Sequence, residues 1–249
     1  MALIDWLIRD TSLIGTIYEA VREQSSNIRA ETINIGSVTF LKYGITAQIK
    51  YHHRYFKVDI VPWIERYITI YPVTHDTLSF QFSGCYMARF RIRDTYYVAH
   101  IHTSSESLNE DCRSIFARFL CRYKNEIEEF QMFKPWCHRR ACGIVKYWGL
   151  ITRAGECYTL ELNFNGPTTV VSAIYKHPHI TLSGLRDNFY VMEQSVLPRS
   201  LNIVVHLWNL ICLPKVPFKL YQKNEAVVAD RETEQNQMEN DENISCCRI

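Results

Sequence analysis

Apolar side chains occupy every second position over long parts of residues 31 to 102. Five groups share this spacing: Ile33/Ile35, Val38/Phe40, Ile45/Ala47/Ile49, Phe56/Val58/Ile60 and Ile68/Ile70. The segments 78–82 and 87–102 continue the pattern. Side chains of a strand alternate between its two faces, so this spacing predicts a series of strands that are each half buried. A chain with this pattern is expected to fold around β-sheet.

Two segments have helical spacing instead. Leu3 to Arg22 reads as one amphipathic helix, and a second apolar stripe runs from Leu108 to about Phe133. Ser107 to Glu110 offers a capping box at the start of this second helix. The stripe, which includes Cys112, is predicted to be core, so neither Cys112 nor Cys121 is expected to have a chemical role.

The remaining residues return to strand patterns and end in a polar segment. Candidate strands are Gly143–Thr152, Tyr158–Phe164, Thr168–Tyr175, Phe189–Met192 and Leu201–Trp208. Asn165-Gly166 is a strong hairpin turn signal between two of them. We therefore predict an α+β fold: a strand-rich, β-sandwich-like core with flanking helices, formed by residues 1–221 as a single domain. Residues 222–249 are predicted to form a disordered acidic tail.

Composition limits the class of protein. Of 249 residues, 47% are hydrophobic, which favours a globular chain, and no apolar run reaches the length of a membrane span. The tail carries three basic and seven acidic residues, so the body has a net charge of about +6, too low for a nucleic-acid binder. Nine unevenly spaced cysteines favour free thiols in a reducing compartment. The first residues do not resemble a secretory signal.

The segment Ser83-Gly84-Cys85, with His100 fifteen residues after the cysteine, carries the most chemical information. A thiol attacks best as a thiolate, and a nearby imidazole can take its proton. A hairpin of 86–92 with 95–102 would bring Cys85 and His100 together across the sheet. Ser79 lies six residues before the cysteine and could orient the imidazole. His102 shares a face with His100 and is the alternative base.

This segment, Ser79 to Thr103, resembles the catalytic core of the bacterial glutamine deamidases, which include cytotoxic necrotizing factor-like toxins and the chemotaxis receptor deamidase. Ser83-Gly84-Cys85 matches the turn of that family, His100 its histidine and Ser79 its third position. The resemblance implies a hydrolase that acts on the side-chain amide of protein glutamine, with Cys85 as nucleophile, His100 as base and Ser79 as orienting group. No metal or organic cofactor is then needed.

The same resemblance implies a secreted or translocated bacterial toxin or effector, a virulence protein that acts in the host cytosol. Its partner would be a protein substrate; no nucleic acid and no integral membrane contact are expected. Two other functions stay open: a non-enzymatic protein-interaction module on a similar scaffold, and a cysteine protease or amidase.

Other cysteines and histidines form weaker patterns. Cys137, His138, Cys142 and Cys157 lack the paired short spacing of structural zinc sites. His177-Pro178-His179 is more typical of a loop or a strand edge, and His52-His53 of an exposed strand end. The terminal Cys246-Cys247-Arg248-Ile249 only loosely matches a lipidation motif, and the acidic tail opposes contact with an anionic membrane.

Overall fold

The structure is a computed structural model that describes residues 2–36, 38–102, 112–123, 125–135, 145–165, 168–178 and 218–222. It contains two mixed β-sheets packed face to face. The first has six strands in the order β1-β2-β5-β8-β7-β9, and the second has seven in the order β13-β12-β11-β10-β6-β4-β3. The predicted α+β, strand-rich sandwich is therefore confirmed.

The strands of the first sheet are β1 (Glu31–Ile35), β2 (Val38–Lys42), β5 (Ile68–Pro72), β7 (Tyr86–Ile92), β8 (Thr95–Ile101) and β9 (Ile127–Phe133). The strands of the second are β3 (Ile45–Tyr51), β4 (Arg54–Ile60), β6 (Thr77–Phe82), β10 (Val145–Ile151), β11 (Cys157–Asn165), β12 (Thr168–Lys176) and β13 (Phe218–Gln222). Helices are α1 (Leu3–Arg9), α2 (Leu13–Gln24), a short 3-10 turn (Ser25–Asn27) and α3 (Cys112–Arg122).

Three apolar clusters hold these elements in four layers. The outer face of the first sheet packs on α3 through residues such as Phe90, Phe116 and Phe119. The outer face of the second sheet packs on α1 and α2. A third cluster lies between the sheets and joins Met87 and Val98 of the first to Phe82 of the second. The candidate residues belong to this inner layer.

The N-terminal helix is broken, which corrects the prediction of a single helix from Leu3 to Arg22. The α1 helix ends at Arg9, and Asp10 has an extended backbone. The carboxylate of Asp10 accepts hydrogen bonds from the backbone N–H and the hydroxyl of Ser12 and from the hydroxyl of Tyr51. These local bonds compete with helix continuation. Gly15 lies inside α2, where it approaches the backbone of Thr169.

The second predicted helix is shorter than expected. The α3 helix ends at Arg122, and Ile127–Phe133 is strand β9, so the prediction of helix up to Phe133 is wrong. The proposed capping box lies outside the described residues.

Two predicted hairpins are present, β7 with β8 and β11 with β12, and β3 pairs with β4 in a further hairpin. The candidate strands 189–192 and 201–208 lie outside the described residues, as do residues 223–249. Gln222, which we assigned to the tail, ends β13, an unpredicted strand that pairs with β12.

Candidate functional site

The turn between β6 and β7 holds the candidate thiol. Strand β6 ends at Phe82, Ser83 and Gly84 form a bend, and Cys85 immediately precedes β7. Ser83 is exposed and Gly84 half-buried, whereas the side chain of Cys85 is buried in the inner layer. The bend thus runs from the surface to a thiol inside the sandwich.

Ser79 and His100 meet across the two sheets. Ser79 Oγ lies 2.8 Å from His100 Nδ1 and 2.5 Å from the carbonyl oxygen of Val61. A carbonyl only accepts, so the hydroxyl donates to Val61 and accepts the Nδ1–H of His100. This arrangement assigns the neutral Nδ1–H tautomer to His100 and leaves a lone pair on Nε2. It is the geometry expected of a hydroxyl that fixes an imidazole tautomer; its catalytic role stays a prediction.

His100 is neutral in this environment. Its ring stacks on Phe82 with a centroid distance of 4.2 Å and an interplanar angle of 9°. Burial, assisted by the nearby His102, lowers the pKa of His100 to about 3, because an apolar surrounding disfavours the imidazolium. With its imidazole uncharged, His100 offers no counter-ion for a resting thiolate.

Cys85 immediately precedes β7, and His100 lies near the end of the neighbouring strand β8. The ladder pairs Tyr86 with Ile101 and Met87 with His100. Continued by one residue, this register puts Cys85 opposite His102 and diagonal to His100, a relation that separates Cα atoms by roughly 7–8 Å. His100 Nε2 is buried and has no hydrogen-bond partner among the described residues. Catalytic hydrogen bonds are often long before substrate binds.

His102 differs from His100 in its hydrogen-bond partner and in the ring that it contacts. The indole N–H of Trp63 donates to His102 Nδ1 over 3.1 Å, and the two rings stack with a centroid distance of 5.7 Å. A neutral imidazole that accepts at Nδ1 carries its hydrogen on Nε2. It then has no lone pair left for a thiol proton. The two histidines thus have opposite tautomers, and this favours His100 as the base.

The other candidate cysteines and histidines within the described residues lie in surroundings typical of residues that only support the fold. Cys157 is buried, and burial raises the pKa of its thiol to about 12. His177 Nε2 lies 2.7 Å from the Thr159 hydroxyl, and burial lowers its pKa to about 4. Cys112, the first residue of α3, lies in the core, as predicted, and His52 lies at an exposed turn. Six candidates fall outside the described residues: Cys137, His138, Cys142, His179, Cys246 and Cys247.

Sequence reasoning missed three contributors to the site: Val61, Trp63 and Phe82. Phe82 directly precedes the Ser-Gly-Cys turn, so its ring contact with His100 had a local signal. Val61 and Trp63 follow β4, about 20 residues before the turn, and only the parallel pairing of β4 with β6 brings that loop near.

No protein-family model, curated protein or solved structure matches this chain. In the part of the chain that the structure describes, no group of three or more His, Cys, Asp or Glu side chains is arranged to hold a metal ion. Within the same residues, no helix has both the length and the apolar character to cross a membrane.

Proposed function

We propose that this protein is a cysteine-dependent glutamine deamidase that acts on proteins. The observation that carries the proposal is the Ser79–His100 hydrogen bond, which sets the tautomer that a base beside Cys85 requires. The resemblance of Ser83-Gly84-Cys85 to the turn of the deamidases identifies Cys85 as the expected nucleophile. Cys85 precedes β7, which pairs with β8, the strand that carries His100. A toxin or effector that modifies a host protein is the corresponding biological role.

The reaction would proceed through a thioester. The sulfur of Cys85 attacks the carboxamide carbon of a glutamine side chain while its proton passes to His100 Nε2. His100 then protonates the amide nitrogen, the C–N bond breaks and ammonia leaves. Water next attacks the thioester, gives a proton to His100 and releases glutamate, and the sulfur recovers the proton.

Backbone donors at the turn would stabilise the oxyanion that forms in both steps. The N–H groups of Gly84 and Cys85 belong to the bend that carries the nucleophile, so they are the natural donors. The bend approaches the surface at Ser83, which makes it the side from which a protein substrate can reach the thiol.

The test compares Cys85→Ser with the parent chain on a cytosolic protein extract. We expect the parent to release ammonia and to raise the mass of an acceptor protein by about 1 Da per glutamine. Cys85→Ser should lose both signals because a hydroxyl is a far poorer nucleophile. Cys112→Ser, which changes a buried thiol at the start of α3, is the matched control and should retain them. Ammonia release by Cys85→Ser at the parent rate would disprove the proposal, and new protein termini would indicate a protease instead.

A protein-interaction module is the second candidate function. It is favoured by burial, because Ser79, Cys85 and His100 are 0%, 4% and 1% exposed. In that case the Ser79–His100 bond only joins the two sheets. Ser79→Ala would then lower the melting temperature, and no extract protein would change mass on exposure to the parent chain.

A further inference from the structure

We propose that Trp63, held in place by His102, covers the thiol of Cys85 and controls the access of substrate to it. This inference rests on the proposed function, because it concerns how a glutamine side chain reaches a nucleophile that is buried in the closed structure.

The position of Trp63 is the first argument. Trp63 is half-buried at the border of the inner layer and packs against the apolar cluster that contains Cys85. The β7–β8 ladder begins with the pair Tyr86 and Ile101, and its register continued by one residue puts Cys85 opposite His102. Trp63 donates a hydrogen bond to His102 and stacks on its ring. The half-buried indole and the buried thiol therefore belong to the same border of the inner layer.

The contacts of Trp63 are the second argument. Beyond its apolar packing, the indole is held among the described residues by a neutral hydrogen bond and a ring stack, which both end on His102. Interactions of this kind are weak enough to break during thermal motion. A buried nucleophile needs a cover that can open at a low cost in free energy.

The backbone around Trp63 is the third argument. Val61 donates its N–H to Leu78 and accepts from Ser79, and the carbonyl of Pro62 accepts from the Thr69 hydroxyl. These bonds tie the start of the loop to the sandwich, whereas residues 65–67 are exposed. Opening is therefore expected to be a movement of the Trp63 side chain away from His102, with the Ser79–His100 bond left intact.

This assignment also separates the roles of the two histidines. His100 is the base, bonded to Ser79 inside the sandwich, whereas His102 is a positioning residue that acts through Trp63. Replacing His102 should therefore expose Cys85, but replacing His100 should not release Trp63.

Alkylation of the full chain by iodoacetamide, followed at each cysteine by peptide mass spectrometry, tests the proposal. We expect Trp63→Ala and His102→Ala each to raise the alkylation rate of Cys85 by about tenfold or more, because a hydrogen bond and a ring contact are lost. Trp63→Phe keeps a ring and should give a smaller rise, of about threefold. Tyr67→Ala, an exposed aromatic in the same loop, is the matched control and should leave the rate unchanged.

Cys112 and Cys157 are internal references for general unfolding, and their rates should stay at the parent value. An unchanged Cys85 rate in Trp63→Ala would overturn the proposal. If all three thiols react faster in that variant, Trp63→Phe decides the question, and a parent-like rate at Cys85 there would overturn it. Alkylation of Cys85 does not require catalytic turnover. The experiment therefore tests the cover even if Cys85→Ser shows that the protein is not a deamidase.

Discussion

At the scale of residues, the site depends on donor and acceptor roles that spacing cannot reveal. The distance of six residues before Cys85 singled out Ser79, yet the sequence could not say that its hydroxyl also binds the carbonyl of Val61. That second bond makes the hydroxyl an acceptor toward His100 and so fixes the tautomer. Likewise, His100 and His102 share one face in the strand pattern, and their different partners, Ser79 and Trp63, distinguish them in the structure.

The two histidines should therefore respond differently to substitution. We expect His100→Ala to lose most of its ammonia release, since a general base contributes about 10²- to 10⁴-fold. His102→Ala should lose less, because its Nδ1 is occupied by Trp63 and it takes no proton. Initial rates on the same acceptor protein measure both, and melting curves verify that each variant is folded. A larger loss in His102→Ala would mean that His102, two residues later in the sequence, is the base of the motif.

At the scale of elements, the sequence predicted the strands of the sandwich well because their period is two over several consecutive pairs. It failed at β9, where Ile127 and Phe130 continued the helical spacing of α3. A bulge explains the failure: the register with β7 shifts between Arg91 and Ile92. Ile127 and Phe130 consequently face the same core although they are three residues apart. The bulge depends on a partner strand about 40 residues earlier, which local periodicity cannot detect.

Gly149 of β10 sets how closely the two sheets approach beside the site. A methyl group at this position would lie 2.5 Å from Met87 Sδ and 2.9 Å from Pro135 Cγ. We expect Gly149→Ala to lower the free energy of unfolding by about 1–3 kcal/mol through overpacking, as measured by urea titration. The matched control is the same change in a Met87→Ala background. There the loss should be smaller, and fully additive losses would contradict the role of Gly149 as a spacer.

At the scale of the whole molecule, four layers explain why polar groups of the site are buried. Helices cover the outer face of each sheet, and the inner faces of the two sheets pack against each other. The residues between the sheets are therefore shielded from water on both sides. His100 lies in this inner layer. The ring of His177 contacts Phe133, which belongs to the cluster of the same layer. The alternating sequence predicted the sheets, but which faces would meet depended on the order of strands and could not be predicted locally.

The burial of these two histidines predicts that the fold loses stability in mild acid. Burial lowers the pKa of His100 to about 3 and that of His177 to about 4, whereas an imidazole in an unfolded chain titrates near 6.5. Between these values the unfolded chain binds protons that the native chain does not. The stabilising contribution is therefore complete above about pH 6.5 and decreases as the pH falls, by about 1.4 kcal/mol per pH unit for each histidine.

We expect urea titrations at pH 7, 6 and 5 to show a total loss of about 4 kcal/mol in the free energy of unfolding, which is large beside the 5–15 kcal/mol of a typical domain. His177→Gln keeps a polar group beside Thr159 and should remove about half of this pH dependence. His53→Gln, which replaces a histidine at an exposed turn, controls for the loss of an imidazole as such and should keep the parental slope. A free energy of unfolding that stays constant from pH 7 to pH 5 would show that water reaches both rings in the native state. The inner layer would then be open to solvent, and the cover that we assign to Trp63 would have nothing to protect.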